Sequence, residues 1–359
     1  MAGIVSRATD TVPARLSAIS TRWLSEALGA PVGAFDLQMI GTGAGLMGQL
    51  ARVRPLYEGD AAGPASVIVK LPSASDVNRA IGCAFRLYER EVRFYECVGE
   101  RAGLRVPHCF HATVDDAGSV AALVLEDLGS PGDQVAGATL AEARAAVAQL
   151  ARLHATWWDD PRLADLPWMP LADDAAVVAS AVELVRRSWP AFVAAYGATL
   201  TPEARCMGER LPDRIPDLLA AGAGAPSTIN HGDYRLDNLY FGVEGSPCAV
   251  GDWQLSTRAR TGIFDLVYFL GASVDPALRA RHGDGLVRLY LDALEGYGVR
   301  RGHADLDADM ARAAAVCLVY AVAAGAEIDV GDARGRQLVD RVVSSYFRLA
   351  LDLGAASVL

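Results

Sequence analysis

The sequence predicts an α+β protein in two lobes: an N-terminal lobe built on an antiparallel β-sheet with one long helix, and a mostly α-helical C-terminal lobe. Three observations lead there. Short β-branched runs bounded by glycine and aspartate turns fill the first third of the chain. From Thr139 onward the apolar spacing becomes helical and stays so. The 359-residue length, with 52% hydrophobic residues, is enough for two sizeable cores. The expected division is residues 1–126 for the first lobe, 127–129 for a hinge and 130–359 for the second lobe.

Residues 1–35 read as a leader carrying one helix, Thr21 to Leu28, which stops at Gly29 and packs on the first lobe. Leu37–Ile40 reads as a strand. Gly43, Gly45 and Gly48 then fit the pattern G-x-G-x-x-G. A dinucleotide-binding turn needs a helix after that pattern. Here Gln49 to Tyr57 alternates like a strand, so a strand–loop–strand hairpin is expected, with glycine letting backbone N–H groups approach phosphate oxygens. Ser66–Leu71 is a further strand with Lys70 inside it, and a lysine in a buried strand is costly unless paired.

Val77 to Arg101 reads as the long helix, with Ile81, Phe85, Tyr88, Val92 and Tyr95 on one stripe. Glu91 and Glu89 flank that stripe, and spacing alone leaves both open as partners for Lys70. Two more strands, 106–114 and 119–125, are joined by the turn Asp115-Asp116-Ala117-Gly118. Thr139 and Glu142 form a T-x-x-E capping box for the first helix of the second lobe. Helices follow at about 174–197, 202–220, 284–297, 307–325 and 333–353, with another opening at Gly262. His154 reads as a core or helix-end histidine.

The formal charge of −10 and pI of about 5.1 disfavour a nucleic-acid partner, which usually meets a basic face. Residues 1–10 lack the apolar core of a signal peptide, and the uncharged run 313–326 is too short to span a bilayer, so no membrane partner is expected. The six cysteines are scattered without a C-x-x-C pair and read as reduced thiols. Together these features fit a cytoplasmic enzyme.

The chemistry concentrates in His231-Gly232-Asp233-Tyr234-Arg235-Leu236-Asp237-Asn238 and, shortly after, Val250-Gly251-Asp252-Trp253-Gln254. Mg²⁺ takes hard oxygen ligands, usually one or two carboxylates, and completes its octahedron with phosphate and water. Asn238 and Asp252 can supply two such oxygens, which leaves Asp233 to face an acceptor hydroxyl. The H-R-D-x-x-x-x-N and D-F-G segments of protein kinases divide labour in this way.

On these two segments the chain resembles the aminoglycoside phosphotransferase and choline kinase superfamily, which shares the protein-kinase-like fold, and within it the ecdysteroid-kinase-like branch and its bacterial relatives. The resemblance runs through nearly the whole chain, most clearly from Ile40 to about Leu270. Gly232 stands where protein kinases usually have arginine, and Trp253-Gln254 where they have Phe-Gly. Both departures fit small-molecule kinases.

The resemblance implies ATP and Mg²⁺ as cofactors, bound in a cleft between the lobes. It implies transfer of the γ-phosphoryl group to a hydroxyl of a small molecule. Asp233 would take the hydroxyl proton, and Arg235 would neutralise charge on the transferring group or lie at the surface. Asn238 and Asp252 would hold the metal. Lys70 would hold the α/β-phosphates, fixed by Glu91 at the family's position. Gly43, Gly45 and Gly48 would cover the phosphates, and backbone groups near Glu126 and Leu128 would meet adenine. Asp265 resembles the buried acid that braces the catalytic loop. Asp237 reads as a spare carboxylate, solvated or bonding within its loop rather than a ligand, and Gly132-Asp133-Gln134 has no assigned role.

For the acceptor, Trp157, Trp158, Trp168 and Trp189 favour an apolar, ring-bearing alcohol lined by residues 157–197. An aminoglycoside is the alternative, with Asp159, Asp160, Asp165, Asp173 and Asp174 as possible contacts. A catalytically dead nucleotide-binding regulator is a reading of another class. The set Lys70, Asp233, Asn238 and Asp252 counts against it. A protein kinase would need an A-P-E-type anchor after Asp252, which the sequence lacks.

Overall fold

The computed structural model describes residues 12–40, 47–224, 226–242, 248–300, 306–327 and 333–359. Gly43 and Gly45 lie outside the described residues. The chain divides into two compact units, Met1–Ser130 with Ala249–Leu255, and Pro131–Cys248 with Ser256–Leu359. The segment carrying Asp252 therefore packs with the first unit, whereas the sequence reading ran the second lobe unbroken from residue 130.

The first unit holds a five-stranded antiparallel sheet: β1 (Val32–Ile40), β2 (Gly48–Tyr57), β3 (Val67–Pro72), β4 (Cys109–Val114) and β5 (Ala121–Glu126). The spatial order is β1-β2-β3-β5-β4. Strand alternation sorts side chains onto two faces. Ala51, Val53, Val67, Val69, Leu71, Ala122 and Val124 point to one face and pack with Leu16, Ile19, Trp23 and Leu24 of the leader. The leader helix α1 (Thr21–Leu28) is capped by the Ser20 hydroxyl and ends at Gly29 in the left-handed conformation, as its sequence signals require. Lys70 lies between Val69 and Leu71 and so falls on the opposite face, where β2 pairs it with Leu50 and β5 pairs it with Leu123.

The single helix expected over 77–101 is two helices, α2 (Asp76–Ala84) and α3 (Leu87–Cys97). The break comes at Phe85 and Arg86, where Arg86 adopts a positive φ of 52°. The apolar stripe hid this break because it continues in register across it. Its first part is not core, since Ile81 and Phe85 are exposed, while Tyr88, Val92 and Tyr95 are buried.

The second unit is helical: α4 (Leu140–Thr156), α5 (Ala175–Tyr196), α6 (Pro202–Ala221), α7 (Ile263–Ala272), α8 (Pro276–Gly296), α9 (Leu306–Glu327) and α10 (Ala333–Asp352). The Thr139–Glu142 capping box is present at α4. Helix α8 starts well before the expected residue 284, because Asp275 caps it and Pro276 occupies its first turn. Two short strands, Ser227–Asn230 and Thr257–Arg260, pair antiparallel and deliver the chain to His231. Helix α9, which extends the uncharged run 313–326 at its N-terminal side, is long and apolar enough to cross a membrane by length and composition alone. More than half of that stretch is buried, and its Ala314, Leu318 and Val322 are fully so.

Candidate active site

The first unit assembles one charged cluster. Strand β3 sends Lys70 toward α3, where its Nζ lies 2.7 Å from Glu91 Oε2 and 2.9 Å from Asp252 Oδ1. Glu91, not Glu89, is therefore the helix partner, and Glu89 pairs with Arg86 one turn away at the surface. Burial alone would lower the Lys70 pKa, but the carboxylates of Asp252 and Glu91 overcome it and hold the ammonium charged. Burial pushes Glu91 up, with Lys70 opposing. One cation thus serves two carboxylates, of which Asp252 is the more exposed, at 30% against 3% for Glu91.

Asp252 has a positive φ of 62°, a conformation that aspartate tolerates better than most residues. Its neighbour Trp253 is fully buried, stacks on Phe94 at 3.9 Å between ring centroids, and donates its indole N–H to the Val250 carbonyl. Phe94 lies three residues after Glu91, on the same face of α3. One helix turn therefore sets both carboxylates around Lys70. Gly48 lies opposite Pro72 in the ladder, and a Cβ there would meet the Leu71 carbonyl at 3.2 Å and Lys70 Cε at 3.5 Å. A side chain at that position would crowd the lysine.

The segment expected to meet adenine is braced from its own unit. The carboxylate of Asp127 accepts from Arg52 Nε at 2.5 Å, Arg52 Nη2 at 3.0 Å, the Ser66 hydroxyl at 2.7 Å and the Gly129 N–H at 3.0 Å. The Glu126 side chain accepts from Arg105 and from the His108 N–H, and its own N–H is spent on the His108 carbonyl. Any role of Glu126 toward a base therefore falls to its carbonyl. Leu128 is half-buried beside this brace.

The second unit assembles a different kind of cluster around Asp233. Its Oδ1 accepts from the Tyr268 hydroxyl at 2.6 Å. Its Oδ2 accepts from Asn238 Nδ2 at 3.0 Å and Arg235 Nε at 3.2 Å. Arg235 also reaches Asp237 at 2.9 Å, so this spare carboxylate bonds within the loop, as the sequence reading allowed. Burial opposes the Arg235 charge, but Asp233 and Asp237 hold its pKa above the usual range. Burial and the Asp233 carboxylate push the Tyr268 hydroxyl well above the usual tyrosine range, which keeps it a donor. Asn238 spends its amide N–H groups on the Asp233 carbonyl and carboxylate, so its carbonyl oxygen is the atom left to face a cation.

The loop itself is held by side chains from α7 and from the segment before α4. The buried Asp265 carboxylate accepts the N–H groups of His231 at 2.6 Å and Gly232 at 2.9 Å. His154, wholly buried, lies 3.3 Å from Asp265 and 2.8 Å from the Tyr290 hydroxyl. The His154 ring leaves no room at Gly262, where a Cβ would sit 2.3 Å from Nδ1 and where φ is 67°. Gln134 acquires a role: its amide oxygen accepts from the Leu236 N–H at 2.9 Å and its amide nitrogen donates to the Ala272 carbonyl.

Tyr268 is the residue that sequence reading missed. It lies three residues after Asp265, so the two share one face of α7. The acid braces the backbone of the loop and the tyrosine orients its carboxylate. An acid followed by a tyrosine at this spacing, shortly after the Val250–Gln254 segment, was the available signal.

The family model of the ecdysteroid kinase-like family matches residues 175–298. No curated protein gives a significant sequence match. Solved structures match over most of the chain. A spectinomycin phosphotransferase in complex with ADP and spectinomycin is similar at a TM-score of 0.59 and 13% identity, covering 94% of this chain and 98% of that one. The fold is protein-kinase-like. An ethanolamine kinase from Plasmodium vivax shares this fold at a TM-score of 0.51 and 11% identity, over 89% of this chain and 80% of its own. An amicoumacin kinase in complex with AMP-PNP and Ca²⁺ shares it at 0.51 and 13%, over 91% and 92%. Within this fold the chain places a strand lysine bonded to a helix glutamate in one unit, and in the other a loop carrying Asp233 and Asn238 five residues apart.

Proposed function

We propose that this protein is a small-molecule kinase of the aminoglycoside phosphotransferase and choline kinase superfamily, in its ecdysteroid-kinase-like branch. It transfers the γ-phosphoryl group of ATP to a hydroxyl of an apolar, ring-bearing alcohol. The observation that carries the reading is Lys70 bonded to both Glu91 and Asp252. A buried ammonium shared by two carboxylates is an expensive arrangement for structure alone. It suits a group that must hold phosphate oxygens while an adjacent carboxylate holds their metal.

Asn238 and Asp252 fit Mg²⁺ by the chemistry of their atoms, an amide oxygen turned away from Asp233 and a half-exposed carboxylate. Among the described residues no group of three or more His, Cys, Asp or Glu side chains forms a metal cage of its own. Mg²⁺ characteristically needs only one or two carboxylates beside phosphate and water. When bound, the metal would neutralise charge on the phosphates. Asp233, oriented by Tyr268, Arg235 and Asn238, receives the proton of the acceptor hydroxyl. Arg235 keeps its charge beside that carboxylate.

The same reading takes Gly43, Gly45 and Gly48 as the phosphate cover, and the 126–128 backbone as the adenine contact. It makes the enzyme cytoplasmic, with no nucleic-acid or membrane partner. The test is a screen of hydroxylated metabolites and antibiotics for acceptor-dependent ADP release. Acceptor-stimulated release with at least one alcohol is expected. Nucleotide binding without turnover on any acceptor would favour a catalytically dead regulator instead.

A further inference from the structure

Two of the four tryptophans that suggested an acceptor pocket are occupied elsewhere. Trp157 is fully buried, with Arg162 over its ring at 4.7 Å, and Trp189 stacks on Phe192 at 5.4 Å in a column that continues to Tyr196 and Phe347. The aromatic surface that reaches Asp233 comes from α7 and α9. Tyr268, whose hydroxyl bonds the Asp233 carboxylate, has Phe264 at 5.6 Å and Tyr320 at 5.3 Å between ring centroids, and those two lie 6.0 Å apart. Tyr268 is nearly inaccessible, and Tyr346 packs behind it at 5.5 Å and donates its hydroxyl to the Tyr268 carbonyl. Phe264 and Tyr320 are only half-buried. The second unit therefore presents a rigid aromatic wall, anchored at one end to Asp233 and part open at the other.

We propose that Phe264 and Tyr320, backed by Tyr268, form the acceptor subsite, and that it takes an uncharged alcohol with a flat apolar face. The inference rests on the kinase reading for the role of Asp233. Two observations favour a neutral face over a cation. First, the three rings touch one another, with mutual distances of 5.3 to 6.0 Å, so they leave no space among them for a cation caged by π-faces. Second, the carboxylates around the wall are already engaged. Asp233 accepts from Tyr268, Arg235 and Asn238, Asp237 from Arg235, and Asp265 from the His231 and Gly232 N–H groups. A polycation would have to take these groups from their partners, whereas a ring needs only apolar surface to cover. With its ring on Phe264 and Tyr320, such an alcohol directs a peripheral hydroxyl toward the carboxylate that Tyr268 orients.

The experiment uses the full chain with estradiol as an uncharged ring alcohol and kanamycin as a polycationic one, binding being followed by ligand-observed NMR. Estradiol is expected to bind, and Phe264→Leu and Tyr320→Leu to weaken it roughly tenfold, while Tyr320→Phe retains it. Thermal melting and Mg-ATP binding of each variant report whether its fold is intact. A route that needs no substitution is the detection of NOEs between estradiol and ring-labelled phenylalanine and tyrosine of the unaltered chain. Failure of the unaltered chain to bind estradiol, binding unchanged in both leucine variants, absence of those NOEs, or preference for kanamycin would each overturn the subsite. The kinase reading stands or falls separately, on acceptor-dependent ADP release by the unaltered chain.

Discussion

The two clusters of this molecule hold their carboxylates by opposite means. In the first unit, Lys70 is one ammonium between two acids, so the cluster is short of positive charge. In the second, Asp233 is one acid among three donors, so it is oversupplied with hydrogen bonds. A cluster short of positive charge is prepared for a cation that arrives with the substrate. A carboxylate fixed by several donors is prepared to act from one geometry. On the proposed kinase reading the difference separates electrostatic capture of Mg-nucleotide from orientation of a base, and each can be broken alone.

The largest effect should come from the first cluster. Asp252→Ala removes the exposed carboxylate and the residue type that tolerates its positive φ. We expect Mg²⁺-dependent ATP binding to weaken and transfer to be lost, because the metal loses its charged ligand. An unchanged Mg²⁺ titration of ATP binding would reduce Asp252 to a partner of Lys70. Asp233→Asn is the corresponding break in the second unit. Folding and ATP binding should survive it, and kcat should fall by roughly 10²–10⁴, the usual contribution of a positioned acid–base group. Near-normal turnover on an identified acceptor would remove Asp233 from the chemistry.

The legibility of the chain divides along the same line. The five strands and the capping box were readable because turns and caps are local signals. The pairing of Lys70 was readable only in part, since spacing left Glu89 and Glu91 equivalent until the break at Arg86 is known. Local pattern could not reveal that break, because the apolar stripe continues in register across it. Tyr268 and Gln134 were missed for a related reason. Each is a polar residue whose partner lies far away in sequence, 35 residues for Tyr268 and 102 for Gln134 with Leu236.

Stability measurements sharpen the contrast further. Lys70→Met leaves Glu91 and Asp252 without their shared cation in a buried place. A loss of about 3–5 kcal/mol is expected, the cost typical of removing one partner from a buried pair. Tyr268→Phe leaves Asp233 with Arg235 and Asn238, so the loss should be smaller, about 2 kcal/mol for one hydrogen bond to a charged group. Denaturant melts of the two variants decide the matter. Equal losses would mean that the two clusters are not organised differently.

The smallest effect concerns the brace at Asp127, which belongs to the first unit but is charge-balanced. Burial works against its ionised form, yet the hydrogen bonds from Arg52, Ser66 and the Gly129 N–H prevail and hold its pKa below the usual carboxylate range. An acid whose pKa is lower in the folded than in the unfolded chain contributes stability above the unfolded value, near 3.9, and loses it as pH falls through the folded one. Asp127→Asn should therefore cost about 1 kcal/mol at neutral pH and progressively less in acid, where the native carboxyl also takes up its proton. Denaturant midpoints of the two proteins should converge as pH falls below about 4. A gap that stays constant with pH would show that Arg52 and Ser66 hold the side chain for its shape rather than its charge. The charge-balanced pair would then have to be removed from the comparison with Lys70.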